Sequence, residues 1–242
     1  MKKDILFRIK KEKSEPFSFN QAVADVFDDM LIRSVPLYAE SISRHAQICA
    51  RVYQDNSLIY DLGCSNGNLG LKIIDRMKNN DFSMIAVDSS LPMIETYAQR
   101  LGKQENRGNI NLVCGCLEDI RIKNASVVLI NLTLQFIAPE DRLAVLSEIY
   151  EGLEPCGVLL LTEKIVNNTE SLADLQNHFY KKFKMENGYS ELEISQKREA
   201  LEQVLRPDTL ESHIRRLGQV GFNTIDVWLK WFNFASLIAI KQ

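Results

Sequence analysis

The chain reads as an α/β protein on a Rossmann-like, mainly parallel seven-stranded sheet, with a terminal antiparallel pair, N-terminal helices and a helical insertion. Three observations predict it. Apolar runs of strand length alternate with segments of helical periodicity, the pattern of a parallel sheet covered on both faces. The apolar run Leu58 to Leu62 ends in a glycine turn beside an acid, as strands of doubly wound sheets do. Two β-rich runs close the chain with a short turn between them.

Each element follows in order. The first two dozen residues are mixed and charged, including Lys10-Lys11-Glu12-Lys13, and read as an arm laid over the domain. From Asn20 to Tyr53 apolar residues recur at helical spacing, broken at Ser34-Val35-Pro36 because a residue before proline avoids helical geometry. Two or more helices therefore precede the sheet. The core predicts strands at Leu58 to Leu62, Met84 to Asp88, Ile110 to Cys114, Ser126 to Asn131 and Val158 to Glu163. Helices are expected near Leu69 to Lys78, Pro92 to Leu101 and Glu140 to Leu153. Pro139 suits a first helical turn, and Pro155-Cys156-Gly157 reads as the closure of that helix. Asn167 to Arg206 is polar and helical, interrupted at Asn187-Gly188-Tyr189 and restarted by Ser190 with Glu193 in capping-box spacing. A helix from Pro207 to Val220 and strands Thr224 to Leu229 and Phe234 to Ile240 complete one domain over residues 1–242. Its parts are the arm and helices (1–53), the core (54–166), the insertion (167–206) and the closing helix and strands (207–242).

Composition bounds the function. Of 242 residues, 45% are hydrophobic and 25% charged, which removes disordered and fibrous classes, and the net charge of −3 argues against broad nucleic-acid binding. Lys181-Lys182-Phe183-Lys184 and Arg215-Arg216 read as solvated helix faces, so direct tRNA binding is not expected. Five cysteines, Cys49, Cys64, Cys114, Cys116 and Cys156, form neither a C-x-x-C pair nor a zinc ligand set and read as reduced, mostly packed thiols. No metal is expected. The N-terminal apolar run is short for a signal peptide and no segment is long enough to cross a membrane, so a cytoplasmic protein is expected.

The turn Asp61 to Gly67 carries the chemistry. Gly63, Gly67 and Gly70 are spaced G-x-x-x-G-x-x-G, not G-x-G-x-x-G, and no Gly-Lys-Ser/Thr follows, so neither a dinucleotide fingerprint nor a phosphate loop is present. A cofactor without a pyrophosphate fits better. Glycines admit close backbone approach, Asp61 offers an acceptor to an ammonium, and Asp88, at second-strand spacing, offers one to a ribose diol. Together they suggest S-adenosyl-L-methionine. The competing reading is a plain strand-to-helix turn with incidental acids.

Longer words narrow this. Ile32-Arg33-Ser34-Val35-Pro36-Leu37-Tyr38, Tyr60-Asp61-Leu62-Gly63-Cys64-Ser65, Asn131-Leu132-Thr133-Leu134-Gln135-Phe136, the block Asn187-Gly188-Tyr189-Ser190-Glu191-Leu192-Glu193-Ile194-Ser195-Gln196-Lys197-Arg198, and Phe232-Asn233-Phe234 run in order through nearly the whole chain. They resemble the carboxy-S-adenosyl-L-methionine synthase family, within the class I methyltransferase fold. The resemblance implies a homodimer that converts S-adenosyl-L-methionine and prephenate into carboxy-S-adenosyl-L-methionine and phenylpyruvate. The product would pass to a tRNA carboxymethyltransferase acting on wobble uridine. It further implies cofactor contacts from Tyr38, Gly63, Cys64, Ser65, Asp88, Ser89, Cys116, Leu117 and Asn131, with Arg198 reaching the other subunit's site.

The implied chemistry needs no side-chain acid or base. The sulfonium methyl must lose a proton and attack carbon dioxide, and decarboxylating prephenate supplies both carbon dioxide and, as its ring aromatises, the hydroxide that takes the proton. Holding the fragments together away from water is the enzyme's task, and no catalytic residue is assigned. A guanidinium suits the added carboxylate, which makes Arg198 its reader, against the alternative of a solvated helix-face arginine. Arg33 reads either as a substrate contact or as a surface salt bridge, and Tyr38 as a hydroxyl donor or a packing residue. Cys116 stands where the family usually has an aspartate for the adenine amino group, which leaves backbone, Leu117 or Asp119 for that task. The turn at Pro155-Cys156-Gly157 and the helix start Asn68-Leu69-Gly70-Leu71 also depart from the family's pattern. The competing function is an ordinary methyltransferase acting on a small molecule or RNA.

Overall fold

A computed structural model describes residues 2–10, 15–77, 81–104 and 108–242. Helices α1 (Gln21–Ser34) and α2 (Tyr38–Val52) come first. Asn20 caps α1 by accepting from the Val23 amide at 3.2 Å. Val35, ahead of Pro36, is extended and ends it. The core then runs β1 (Leu58–Leu62), α3 (Asn68–Arg76), β2 (Ser83–Asp88), α4 (Leu91–Leu101), β3 (Asn109–Cys114), β4 (Ala125–Asn131), α5 (Arg142–Gly152) and β5 (Leu153–Val166). The insertion is α6 (Glu170–Glu186) and α7 (Glu191–Leu201), and Ser190 and Glu193 form the expected capping box. A two-residue strand β6 (Asp208–Thr209), helix α8 (Leu210–Val220), and strands β7 (Thr224–Trp231) and β8 (Phe234–Ile240) finish the chain.

The sheet order is β3-β2-β1-β4-β5-β8-β7, with β6 beside the end of β5. Strands β1 to β5 pair in parallel, and β8 enters antiparallel between β5 and β7. The order reverses at β1, so the crevice for a ligand lies beyond the carboxyl ends of β1 and β4. Alternation sends Tyr60, Leu62, Val128, Ile130, Leu159 and Leu161 to a core shared with α5 and α8. Ile59, Val127, Leu129 and Leu160 enter the opposite core, under α2, α3 and α4. Each such buried side chain contributes about 1.5–3 kcal/mol, so β1, β4 and β5 form the rigid frame behind the site.

Several expectations are corrected. Pro155-Cys156-Gly157 does not close α5, which ends at Gly152; it lies inside β5, where the strand pairing shifts register. Cys156 there takes a positive φ of 62° and its amide donates to the Lys241 carbonyl at 2.9 Å. Pro139 lies in the turn before α5, three residues ahead of its first residue. The helix expected from Pro207 begins at Leu210, because Asp208 and Thr209 pair with β5. Lys78, the expected end of α3, lies outside the described residues. Only Cys49 and Cys64 are buried; Cys114 ends the edge strand β3, Cys116 opens the turn after it and Cys156 sits at the bulge, and these three are exposed.

The arm is laid over the domain as expected for residues 2–10; Lys11 to Lys13 fall outside the description. Asp4 is buried, donates its amide to Asp29 at 2.7 Å, accepts from the Tyr189 hydroxyl, and lies 3.7 Å from Lys197. Gln196 donates to the carbonyls of Phe7 and Ile9. Arg33 is not a surface ion pair, because its pairing with Asp29 is buried. It is buried under the arm, donates to Asp4 and Asn187 carbonyls and to Asp29, and stacks 3.7 Å over the Tyr189 ring. Its charge joins three segments, a role invisible until the arm folds back.

Candidate cofactor-binding and active site

The turn after β1 is fixed from two sides. The Gly63 and Cys64 amides both donate to the Val87 carbonyl, at 2.8 and 2.9 Å. A Cβ on Gly63, whose φ is +80°, would lie 2.1 Å from Thr133, so glycine here lets the β1 and β4 loops touch. Gly67 and Gly70 serve a different end from the one expected. A Cβ on either would enter the Tyr97 side chain of α4. They make room for a core ring.

Asp61 points to the α2 and α3 side, the side of its strand neighbour Ile59. It is buried, and its Oδ2 has no hydrogen-bond partner among the described residues. Burial, and then the charge of Asp88, push its carboxyl up to about 7. Asp88 ends β2 and accepts from the Ser65 and Ser90 amides, each at 2.9 Å, which ties the two loops together and leaves further lone pairs on both oxygens. Burial raises Asp88 as well, against those two bonds. Ser89 beside it is exposed, and Ser65 holds a positive φ of 49°. The Gly115 amide donates to the Asp88 carbonyl at 3.0 Å, bringing Cys116 and Leu117 to the same edge. Leu117 packs against the core, whereas Cys116 and Asp119 are exposed.

Tyr38 opens α2 and is buried; its hydroxyl is held up by burial despite a bond with Asn68, and it feels the charges of Asp28 and Asp61. Tyr38, Asn131, Thr162, Trp231 and Phe234 line one cleft. Its wall is a neutral network: the His45 Nδ1 proton bonds the Ser41 carbonyl at 2.8 Å, which leaves Nε2 to accept from Thr162 at 3.0 Å, and Ser236 bonds Thr162 at 2.8 Å. Burial lowers His45 to about 4, so it stays uncharged.

Glu163, on the opposite face, was not anticipated. It is fully buried and accepts from the Thr133, Leu134 and Gln135 amides at 2.8–3.0 Å, clamping the loop after β4 that faces Gly63. Burial pushes it up to about 8 against these three bonds. A carboxyl raised in the fold binds its proton more tightly folded than unfolded, so its stabilisation is complete below the unfolded pKa and is lost as pH rises through 8. Chemical denaturation of wild type and Glu163→Gln side by side should show wild type losing stability relative to the variant as pH rises from 6 to 8. A difference that stays constant over that range would contradict this role.

The site residues from Tyr38 to Asn131 thus share the carboxyl edge of β1 to β4. Arg198 does not join them within one chain: it lies exposed on α7, close enough for its charge to act on Lys184. Nor is the basic run one solvated face, since Lys181 and Lys182 are exposed while Lys184 is half-buried against Tyr180. Asn233, singled out only within the word Phe232-Asn233-Phe234 and given no role there, is buried with both amide atoms unpartnered among the described residues. Its only sequence signal was its place between two phenylalanines.

The edge fits S-adenosyl-L-methionine by its chemistry. The unpartnered Asp61 oxygen suits an ammonium, and the Asp88 lone pairs suit a diol. Among the described residues no group of three or more His, Cys, Asp or Glu could hold a metal, and no helix is long and apolar enough to cross a membrane. The methyltransferase domain family matches residues 59–157. Human N-acetylserotonin methyltransferase in complex with SAM superposes with a TM-score of 0.60 at 15% identity, over 91% of this chain and 55% of that one. An O-methyltransferase family protein from Burkholderia thailandensis gives 0.64 at 14%, over 96% and 65%. The fold is that of the class I S-adenosyl-L-methionine-dependent methyltransferases.

The relatives are more specific than the fold. Carboxy-S-adenosyl-L-methionine synthase of Desulforapulum autotrophicum is 56% identical over 100% of this chain and 98% of its own length. Those of Shewanella sediminis and Histophilus somni are 45% and 43% identical, again over nearly all of both chains. The chain belongs to the carboxy-S-adenosyl-L-methionine synthase family of transferases.

Proposed function

We propose that this enzyme carboxylates S-adenosyl-L-methionine with prephenate, releasing phenylpyruvate, and that the product feeds a tRNA carboxymethyltransferase modifying wobble uridine. The observation that carries the cofactor part is the buried, unpartnered Asp61 oxygen at the mouth of the Gly63 turn. Gly63, Cys64 and Ser65 would follow the cofactor with backbone, Asp88 and Ser89 its ribose, Cys116 and Leu117 its adenine, and Tyr38 and Asn131 its amino-acid end. The bound sulfonium supplies an acidified methyl group. The chain's own part is to hold the two substrates together in a cleft walled by Trp231, Phe234 and Thr162, the last held from behind by an uncharged His45. This supports carboxylation without a catalytic side chain.

Arg198, exposed in one chain, completes the site in this reading from a second copy, where it pairs with the carboxylate gained in the reaction. The enzyme would act as a cytoplasmic homodimer and leave tRNA recognition to its partner transferase. Incubation with S-adenosyl-L-methionine and prephenate should give a cofactor heavier by one carbon dioxide and an equal amount of phenylpyruvate. Arg198→Ala should lower that turnover by about 100-fold, the loss of a charged bidentate contact, with S-adenosylhomocysteine binding kept and sedimentation still reporting a dimer. Methyl transfer to an acceptor, with indifference to prephenate, would overturn the reading.

A further inference from the structure

The basic run of α6 leaves one cation without a carboxylate. Lys182 lies 3.9 Å from Glu186, but no described carboxylate pairs with Lys184. Its ammonium instead sits 4.2 Å from the centre of the Tyr180 ring. Lys164, from the end of β5, approaches the same ring at 5.0 Å and also has no carboxylate partner among the described residues. Both are half-buried. Burial, then the charges of Lys164, Lys197 and Arg198, push Lys184 down to about 7, and burial lowers Lys164. Lys197 differs because Asp4 lies 3.7 Å away. Desolvated cations normally have an anion to offset their lost hydration. A ring face compensates only in part.

Their position gives the pair a role. Thr162 and Lys164 are two apart on β5 and so share a face, and Thr162 lines the cleft with Tyr38 and Asn131. Lys164 pairs in register with Phe234 of β8, which also lines the cleft and meets Tyr180 ring to ring at 5.4 Å. The Lys164 backbone therefore lies about 7 Å, two strand residues, beyond Thr162 along β5, and Tyr180 brings Lys184 to the same place. Trp231 and Phe234 give the cleft its aromatic lining.

We propose that Lys164 and Lys184, on either side of Tyr180, form the subsite for the carboxylates of a cyclic dicarboxylate co-substrate, whose ring lies against Trp231 and Phe234. This rests on the carboxylation reading above, and it names residues for the second substrate rather than for the cofactor. The pair belongs to one chain, so the subsite is complete before any partner arrives.

Calorimetric titration of prephenate into protein saturated with S-adenosylhomocysteine tests it. Lys164→Gln and Lys184→Gln should each weaken prephenate by about 30-fold, the cost of one charged hydrogen bond, while S-adenosylhomocysteine affinity is kept. Lys184→Arg, which retains the charge, should stay within about threefold of wild type. If Lys184→Gln does not fold, Lys184→Met keeps the stem and serves in its place. Unchanged prephenate affinity in both glutamine variants overturns the subsite, as does a loss that tracks loss of S-adenosylhomocysteine, or a wild-type protein that binds no prephenate. Wild-type turnover, followed separately, decides the parent reading: carboxylation with lysine-independent KM sinks the subsite alone, whereas lysine-dependent binding without carboxylation sinks the reaction alone.

Discussion

Asp61→Asn is expected to weaken S-adenosyl-L-methionine binding by about 30- to 100-fold while leaving the free protein at least as stable at neutral pH. The carboxylate is buried and one oxygen is unpartnered; pairing it with an ammonium would form a charge-assisted bond worth about 2–3 kcal/mol. The amide keeps the shape without the charge. Free of ligand, Asp61 is raised to about 7 by burial and by Asp88, so its stabilisation is complete below the unfolded pKa and is lost as pH rises through 7. The amide lacks that loss. Binding runs the other way. Below pH 7 the ligand must expel a proton from Asp61, so affinity should rise about tenfold per unit toward 7 and level there, until the ligand's own amine deprotonates near about 8. Calorimetry at pH 6 in buffers of different ionisation heat should report release of nearly one proton by wild type and none by Asp61→Asn. Identical proton release in both would exclude Asp61 as the partner of the amine.

Gly67→Ala is expected to destabilise the fold by about 4 kcal/mol, summing a left-handed backbone strain and overpacking of a core ring. Gly67 holds φ at +84°, and its added Cβ would lie 2.1 Å from the Tyr97 ring. That ring is fully buried and has nowhere to go. Adding Tyr97→Ala should remove the overpacking part, so Gly67→Ala should cost less in that background than in wild type. Urea unfolding of the four proteins in the cycle measures this. Additive costs would mean that Gly67 is not there for Tyr97, and would return it to a ligand contact.

These two residues mark what could be read in advance. Strands β1, β2 and β4 were legible nearly to the residue because a parallel strand buried on both faces is an unbroken apolar run with a glycine or acid at its end. The capping box at Ser190 was equally local. What depended on contacts distant in sequence was not legible. Gly67 and Gly70 looked like ligand glycines because Tyr97, which explains them, is some thirty residues away and joined only by the fold. Arg33 looked like a surface or substrate residue because its burial requires the N-terminal arm to return across α1. Pro155-Cys156-Gly157 looked like a helix end because only the antiparallel arrival of β8 extends β5 through it. Lys184 was hidden in a basic run whose other members do face solvent. The cofactor edge was read from Asp61 and Asp88, and the assignment of Arg198 rested on the resemblance alone, since one chain leaves it exposed.

The central claim is that the methyl group of the cofactor is carboxylated with carbon from prephenate. Prephenate carrying carbon-13 in its ring carboxylate tests it most directly, with both products followed by mass spectrometry. The label should appear in the carboxylate of the modified S-adenosyl-L-methionine, with phenylpyruvate unlabelled and equimolar. Label recovered only as bicarbonate, beside unmodified cofactor or a methylated acceptor, would contradict the account.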